Sequence, residues 1–261
     1  MVIPRERMDD IEDENGGDYP RYHEEIEASE LVAGLMSLAL LSDDLAMVSQ
    51  AYNVAAVDKF IMGLEMQFLR SRYDEETPRE NRGGMFLSAQ TEMWIFAAYE
   101  LVRSWRERAK LAIKLAENGG LDVKISHLVG KPDWDYGSQM VARQLSQVRD
   151  EPALVARLKD DLRRSHIPFH LIEWVRVQLA KHQEPGNAKS FVRSHPMMDR
   201  NTGSLNYQLT QGPLILATMS RRELADALRD LNDPSVPSEE DIASFNNFRK
   251  ARAVSIDTPG E

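Results

Sequence analysis

Apolar positions along the chain change period near Gly186. From Glu24 to about His182 they recur at helical spacing, and beyond Gly186 they alternate with polar residues as in a half-buried strand. The first helix is expected over Glu24 to Leu41, and Ser42 with Asp43 offers N-cap chemistry for a second helix reaching about Tyr73. From Leu45 to Leu69 that second helix is apolar over most of its circumference, with charges confined to Asp58, Lys59 and Glu65. Such a helix is either central in a bundle or covered by a second subunit. Asp74 to Gly84 is charged and carries Pro78 and a glycine pair, which predicts an exposed loop. A long helix follows from Met85 to Asn118, apolar on every side between Met93 and Tyr99 and stopped by Gly119-Gly120.

Leu121 to Tyr136 reads as a connection with one short strand or turn over Val123 to Leu128. Helices are then expected over Gly137 to Arg149 and Glu151 to Ser165, with Pro152 in a first-turn position where its missing N–H is harmless. Pro168 disfavours helical geometry at Ile167, so the chain should break near His166 and restart at Pro168, running on to about His182. Leu205, Tyr207 and Leu209 alternate with Asn206, Gln208 and Thr210, and the turns Asn201-Thr202-Gly203 and Gln211-Gly212-Pro213 flank this strand. Ser220 with Glu223 forms a capping-box pattern for one helix, and Ser238 caps a last one over Glu239 to Arg252. The fold class is therefore mainly α. A multi-helix bundle spans 23–186, and a small β-meander of about three short strands with two short helices spans 187–252 and packs on it. Tails at 1–22, which is acidic, and 253–261 are expected to be disordered.

Composition narrows the function classes. At 261 residues and 42% hydrophobic content the chain can bury a core without metals or disulfides. The absence of cysteine removes disulfides, thiolate nucleophiles and Cys-ligated metals, and it suits a reducing cytosol. A net charge of −10 repels phosphate backbones on average, so an anion site would need a local basic patch. The N-terminus has no apolar run of the kind that marks a leader peptide, and Leu31 to Leu41 is far short of the roughly 20 residues a membrane helix needs. A cytoplasmic protein with no membrane partner is expected. The glycine-rich phosphate loops, HExxH and GxSxG are absent, and no histidine has a glutamate three residues before it. No cofactor is expected.

The segment Arg163 to His182 holds three of the six histidines beside arginines. His166 and His170, four residues apart, could chelate a metal on a continuous helix. A break at Pro168 would send the two imidazoles in unrelated directions, and no third ligand is identifiable, so no metal is expected. Arg164 and His170, and again Arg176 and His182, are separated by five residues, and Arg163 and His170 by six. This pattern resembles that of the HEPN superfamily, helical bundles that often dimerise and include metal-independent ribonucleases. The resemblance implies RNA as a partner, with Arg176 and His182, or Arg164 and His170, as catalytic residues. Arginine would stabilise the charge developing on phosphate and histidine would move the proton.

Arg103, Arg106, Lys110 and Lys114 fall within about 80° on the long helix and could meet phosphates, but Glu100, Glu107 and Glu117 lie three or four positions away. The expectation is a salt-bridged, solvated face. Trp94, Trp105 and Trp174 are expected as packing anchors. Two readings of function follow. The first is a self-associating interaction or regulatory protein, a homodimer formed through Leu45 to Leu69 and Met93 to Tyr99. The alternative is the HEPN-like RNA endonuclease of toxin or defence type.

Overall fold

A computed structural model describes residues 21–73, 81–180, 197–211 and 214–250. In chain order the elements are α1 (Ala28–Met36), α2 (Leu45–Tyr73), α3 (Asn81–Glu117), α4 (Leu121–Val129), α5 (Tyr136–Asp150), α6 (Ala153–Arg164) and α7 (His166–Ala180). They continue with β1 (Met197–Met198), β2 (Leu205–Gln211), β3 (Leu214–Ser220), α8 (Arg221–Arg229), a 3-10 turn (Asp230–Asn232) and α9 (Glu239–Lys250). This is the mainly α architecture expected, with a three-stranded antiparallel meander and two helices after it. The expected tail 253–261, residues 1–20 of the first tail, His182, Pro185-Gly186 and the Gly212-Pro213 turn lie outside the described residues.

The hub is α3, which touches α2, α4, α5, α6 and α7. Trp94 and Trp105 are fully buried on it, and each resolves its indole N–H on a distant carbonyl, Val54 O at 2.9 Å and Ala39 O at 2.8 Å. The helix begins at Asn81, so the end of the expected Asp74 to Gly84 loop is helical, and 74–80 lie outside the described residues. Leu121 to Val129 is a helix rather than a strand or turn. Its buried residues, Ile125 and Leu128, are three apart, while Val123 is exposed. Burial at helical spacing outweighed the β-branched composition of the segment.

The apolar run after α1 is not helical to Leu41. From Ser37 to Asp44 it is a buried loop with Leu40 in the left-handed region at φ 67°. Backbone groups that a helix would have satisfied are met by side chains from other elements. Asp161 accepts from Ala39 N at 2.7 Å, and Gln144 Nε2 donates to Leu40 O at 2.7 Å. The N-cap of α2 is accordingly Asp44, not Ser42 or Asp43. Its carboxylate accepts from Ala46 N and Met47 N and pairs with Arg108.

The meander sits against α7 and α8, with Leu205, Tyr207 and Leu209 buried in alternation as expected. Tyr207 pairs with Met219, and a bulge at Leu209/Thr210 shifts the β2–β3 register. Ser220 and Glu223 close the predicted capping box of α8. Arg221, the first residue of that helix, is fully buried. Its Nε and Nη2 donate to Glu65 at 2.8 and 2.9 Å, and its Nη1 pairs with Asp58. Arg229, one face along α8, pairs with both Asp58 and Asp226. Burial pulls the Arg221 proton affinity down, and attraction to Glu65 and Asp58 outweighs it, leaving it above the ordinary arginine value. Gly203, at φ +73°, lets the chain lie flat on α2: a Cβ there would stand 2.3 Å from Glu65 O.

Candidate functional site

The chemistry singled out in the sequence centres on the α6–α7 junction. The chain does not restart at Pro168. α6 ends at Arg164, Ser165 forms a one-residue kink, and α7 begins at His166, which puts Pro168 at its third position. A proline is tolerated there because first-turn N–H groups have no helical partner to lose. The kink still leaves a carbonyl to satisfy. Leu162 O is met by Arg106 Nη1 at 3.0 Å, and the same Nη1 donates to Ser165 Oγ at 2.6 Å.

His166 and His170 therefore share one helix and one face, correcting the expectation of unrelated directions. Their rings meet edge-on with centroids 4.5 Å apart. His166 Nε2 bonds Asn246 Oδ1 at 3.1 Å, and His170 Nδ1 meets Glu173 at 2.8 Å. Glu173 also pairs with Arg249 at 3.1 Å. Asn246 and Arg249 belong to α9, which has no buried residue and reaches α7 further through Phe245 on His166 and Phe248 on Trp174. Burial lowers the proton affinity of both histidines. The bonds to Asn246 and Glu173 oppose it, while Arg249 lowers both and Arg106 and Lys110 lower His166.

Arg106 is not part of a solvated basic stripe. It is only 5% exposed, lies over the Phe169 ring at 4.7 Å, and has no ion pair among the described residues. Its Nε is buried without a partner, and burial brings its pKa down to about 10. Arg103 behaves as expected, paired with Glu100 and Glu107. Phe169 stacks on Tyr99, and Arg176 lies over Tyr99 at 5.0 Å, giving a layered arrangement of Arg106, Phe169, Tyr99 and Arg176.

Among the other residues of the Arg–His pattern, Arg164 bonds Asp161 and the carbonyls of Leu231 and Asp233, and Arg163 bonds Pro237 O. Arg164 and His170 thus engage different partners. Arg176 has an unpartnered Nε and forms no ion pair among the described residues; the position of its partner in the pattern, His182, lies outside them. Among the described residues no group of three or more His, Cys, Asp or Glu is placed to hold a metal. Sequence reasoning had no signal for Asn246 or Arg249 at this site, because α9 meets α7 only in three dimensions, whereas Glu173, three residues after His170 on α7, was legible from helical spacing.

A second candidate lies on α2 and α3. Leu45, Tyr52, Ala56 and Phe60 follow one another at spacings of seven, four and four, and all are exposed, Phe60 at 52%. On neighbouring α3, Phe86, Met93 and Ala97 form a similar exposed stripe, Met93 at 65%. The α2 carboxylates Asp58 and Glu65 point inward to Arg221, and Lys59 donates to His23 O and Ile26 O. No helix of the described residues is long and apolar enough to cross a membrane. No family model, curated protein or solved structure matches the chain.

Proposed function

We propose that this is a self-associating interaction protein whose α2–α3 outer face joins two copies, in the reducing cytosol its cysteine-free composition suits. One observation carries the reading: every charge on α2 between Asp44 and Arg70 is turned away from that face or tied to backbone carbonyls. Two chains of charge −10 repel, and the α2 part of this face brings no carboxylate against another, while Glu100 at the end of the α3 stripe is paired with Arg103. A stripe of exposed Tyr, Phe and Met also has the composition of an interface centre. Sedimentation equilibrium at micromolar concentration should show a dimer. Phe60→Glu with Met93→Glu should give a monomer of unchanged thermal stability, and a monomeric wild type would reject the reading.

A second reading, the HEPN-like endonuclease, is favoured by Arg176, whose guanidinium is not consumed by a carboxylate among the described residues, unlike that of Arg164. It expects RNA cleavage in EDTA that Arg176→Ala and His182→Ala abolish. Equal cleavage by the variants and the wild type would remove it.

A further inference from the structure

The edge where α7 meets α9 is out of charge balance, in a protein that is strongly acidic overall. Arg106 bonds Ser165 Oγ, next to His166; Lys110 follows Arg106 by one turn of α3; and Arg249 lies over the Phe245 ring that meets His166 edge-on. Glu173 is the one carboxylate paired there among the described residues, and it is divided between His170 and Arg249. Arg106 is the informative member. A buried guanidinium ordinarily meets a carboxylate, since desolvating an unpaired charge is costly. Here it has a helix-end carbonyl and a hydroxyl, and its Nε has no partner. Lys110, one turn further along α3, is exposed and pairs with nothing among the described residues.

We propose that this edge binds a phosphate-class anion, held by Arg106, Lys110 and Arg249 with the His166 imidazole at its margin. The anion would add to the one carboxylate, Glu173, that the fold sets among these cations. Guanidinium groups suit phosphate because their donors match its oxygens in pairs, and a lysine adds a point charge. The aromatic layer of Phe169 and Tyr99 beneath Arg106 fixes that side chain before any ligand arrives, which lowers the ordering cost of binding. The site is independent of both readings above, since it requires neither self-association nor cleavage.

The test is titration calorimetry and thermal unfolding of the full chain in potassium phosphate against potassium chloride at equal ionic strength. Phosphate should bind saturably and raise Tm where chloride does not. Lys110→Gln and Arg249→Gln should each weaken phosphate binding by about tenfold, the loss of one charge-assisted hydrogen bond. Arg103→Gln, which removes an equal charge already paired on the same helix, should leave binding unchanged. Lys110 is exposed, so its variant folds whatever happens at α9. A short single-stranded RNA added to the phosphate complex separates the sources. Displacement of phosphate, weakened steeply by salt, identifies a nucleic-acid backbone, and retention of phosphate identifies a small phosphorylated anion. Equal responses to phosphate and chloride, or wild-type affinity in both Lys110→Gln and Arg249→Gln, would overturn the proposal.

Discussion

Two clusters of arginine and carboxylate in the same molecule differ in how far their charges are paired. Under α8, Arg221 and Arg229 meet Asp58, Glu65 and Asp226, with Arg221, Asp58 and Glu65 fully buried. Along α7, Arg106 has no ion pair among the described residues, and the single carboxylate Glu173 serves two partners beneath a helix none of whose own residues is buried. In the first cluster each arginine meets carboxylates, most of them sealed from water, and its chemistry is spent on joining β3–α8 to α2. The second is unbalanced and thinly covered, so its groups remain available to a ligand and to protons. A carboxylate set against each of Arg221 and Arg229 marks an architectural cluster, and a buried guanidinium without one, beside further cations at a thinly covered edge, marks a candidate site.

The contrast breaks most sharply at Asp58. Asp58→Asn should cost about 3–5 kcal/mol, because it strands charge on Arg221 and Arg229 inside the protein. Glu173→Gln should cost less than about 1 kcal/mol, its side chain being partly exposed and screened. Urea unfolding of the two variants measures the difference, and equal losses would erase the distinction. Next is Gly203→Ala, which should cost at least the roughly 1–3 kcal/mol of a non-glycine residue held at positive φ. The added Cβ also collides with Glu65 O and disturbs the seat of the sealed cluster, so the loss should appear in the same unfolding assay.

On the open side the effects shrink. Phe248→Ala should remove the edge contact with Trp174 at a cost of about 0.5–1.5 kcal/mol, confined to α9. Hydrogen exchange should rise in 239–250 and stay unchanged in α8. The smallest effect is that of pH. His166 and His170 have lowered proton affinity in the folded state, so the unfolded or undocked segment binds more protons. Docking of α9 is then fully stabilised above the ordinary histidine value of about 6.5 and weakens as pH falls from there toward the lowered folded values. Exchange of α9 amides, corrected for its intrinsic pH dependence, should accelerate over that range while the Arg221 region does not respond.

How much of this was legible in the sequence follows from the range of the interactions. Periodicity gave α5, α6 and the alternation of β2, and local capping chemistry gave the start of α8 at Ser220. These depend on neighbours within a few residues. The loop after α1 carries a helical pattern, since Leu38 to Leu41 is as apolar as a helix core, and the groups that hold it open, Asp161 and Gln144, lie 122 and 104 residues away from their partners. Pro168 misled because the first turn of a helix has more than one position that tolerates proline. Arg106 had the right spacing for a solvated stripe, and the kink that draws it inward is a tertiary feature. The Arg221 network joins residues 156 to 171 positions apart, and only the odd placement of Asp58 and Glu65 in an apolar helix foreshadowed it.

The link between the 3-10 turn and α9 carries one more consequence. It runs from Asp233 to Ser238, contains Pro234 and Pro237, and is pinned near both ends by Arg164 on Asp233 O and Arg163 on Pro237 O. A detached α9 would therefore remain leashed close to α7, at an effective concentration on the order of millimolar or more. Any incoming ligand that needs the covered part of this edge competes with an occupant that never diffuses away, so its apparent dissociation constant would be raised by a fixed factor set by the length of the leash as much as by the contacts themselves.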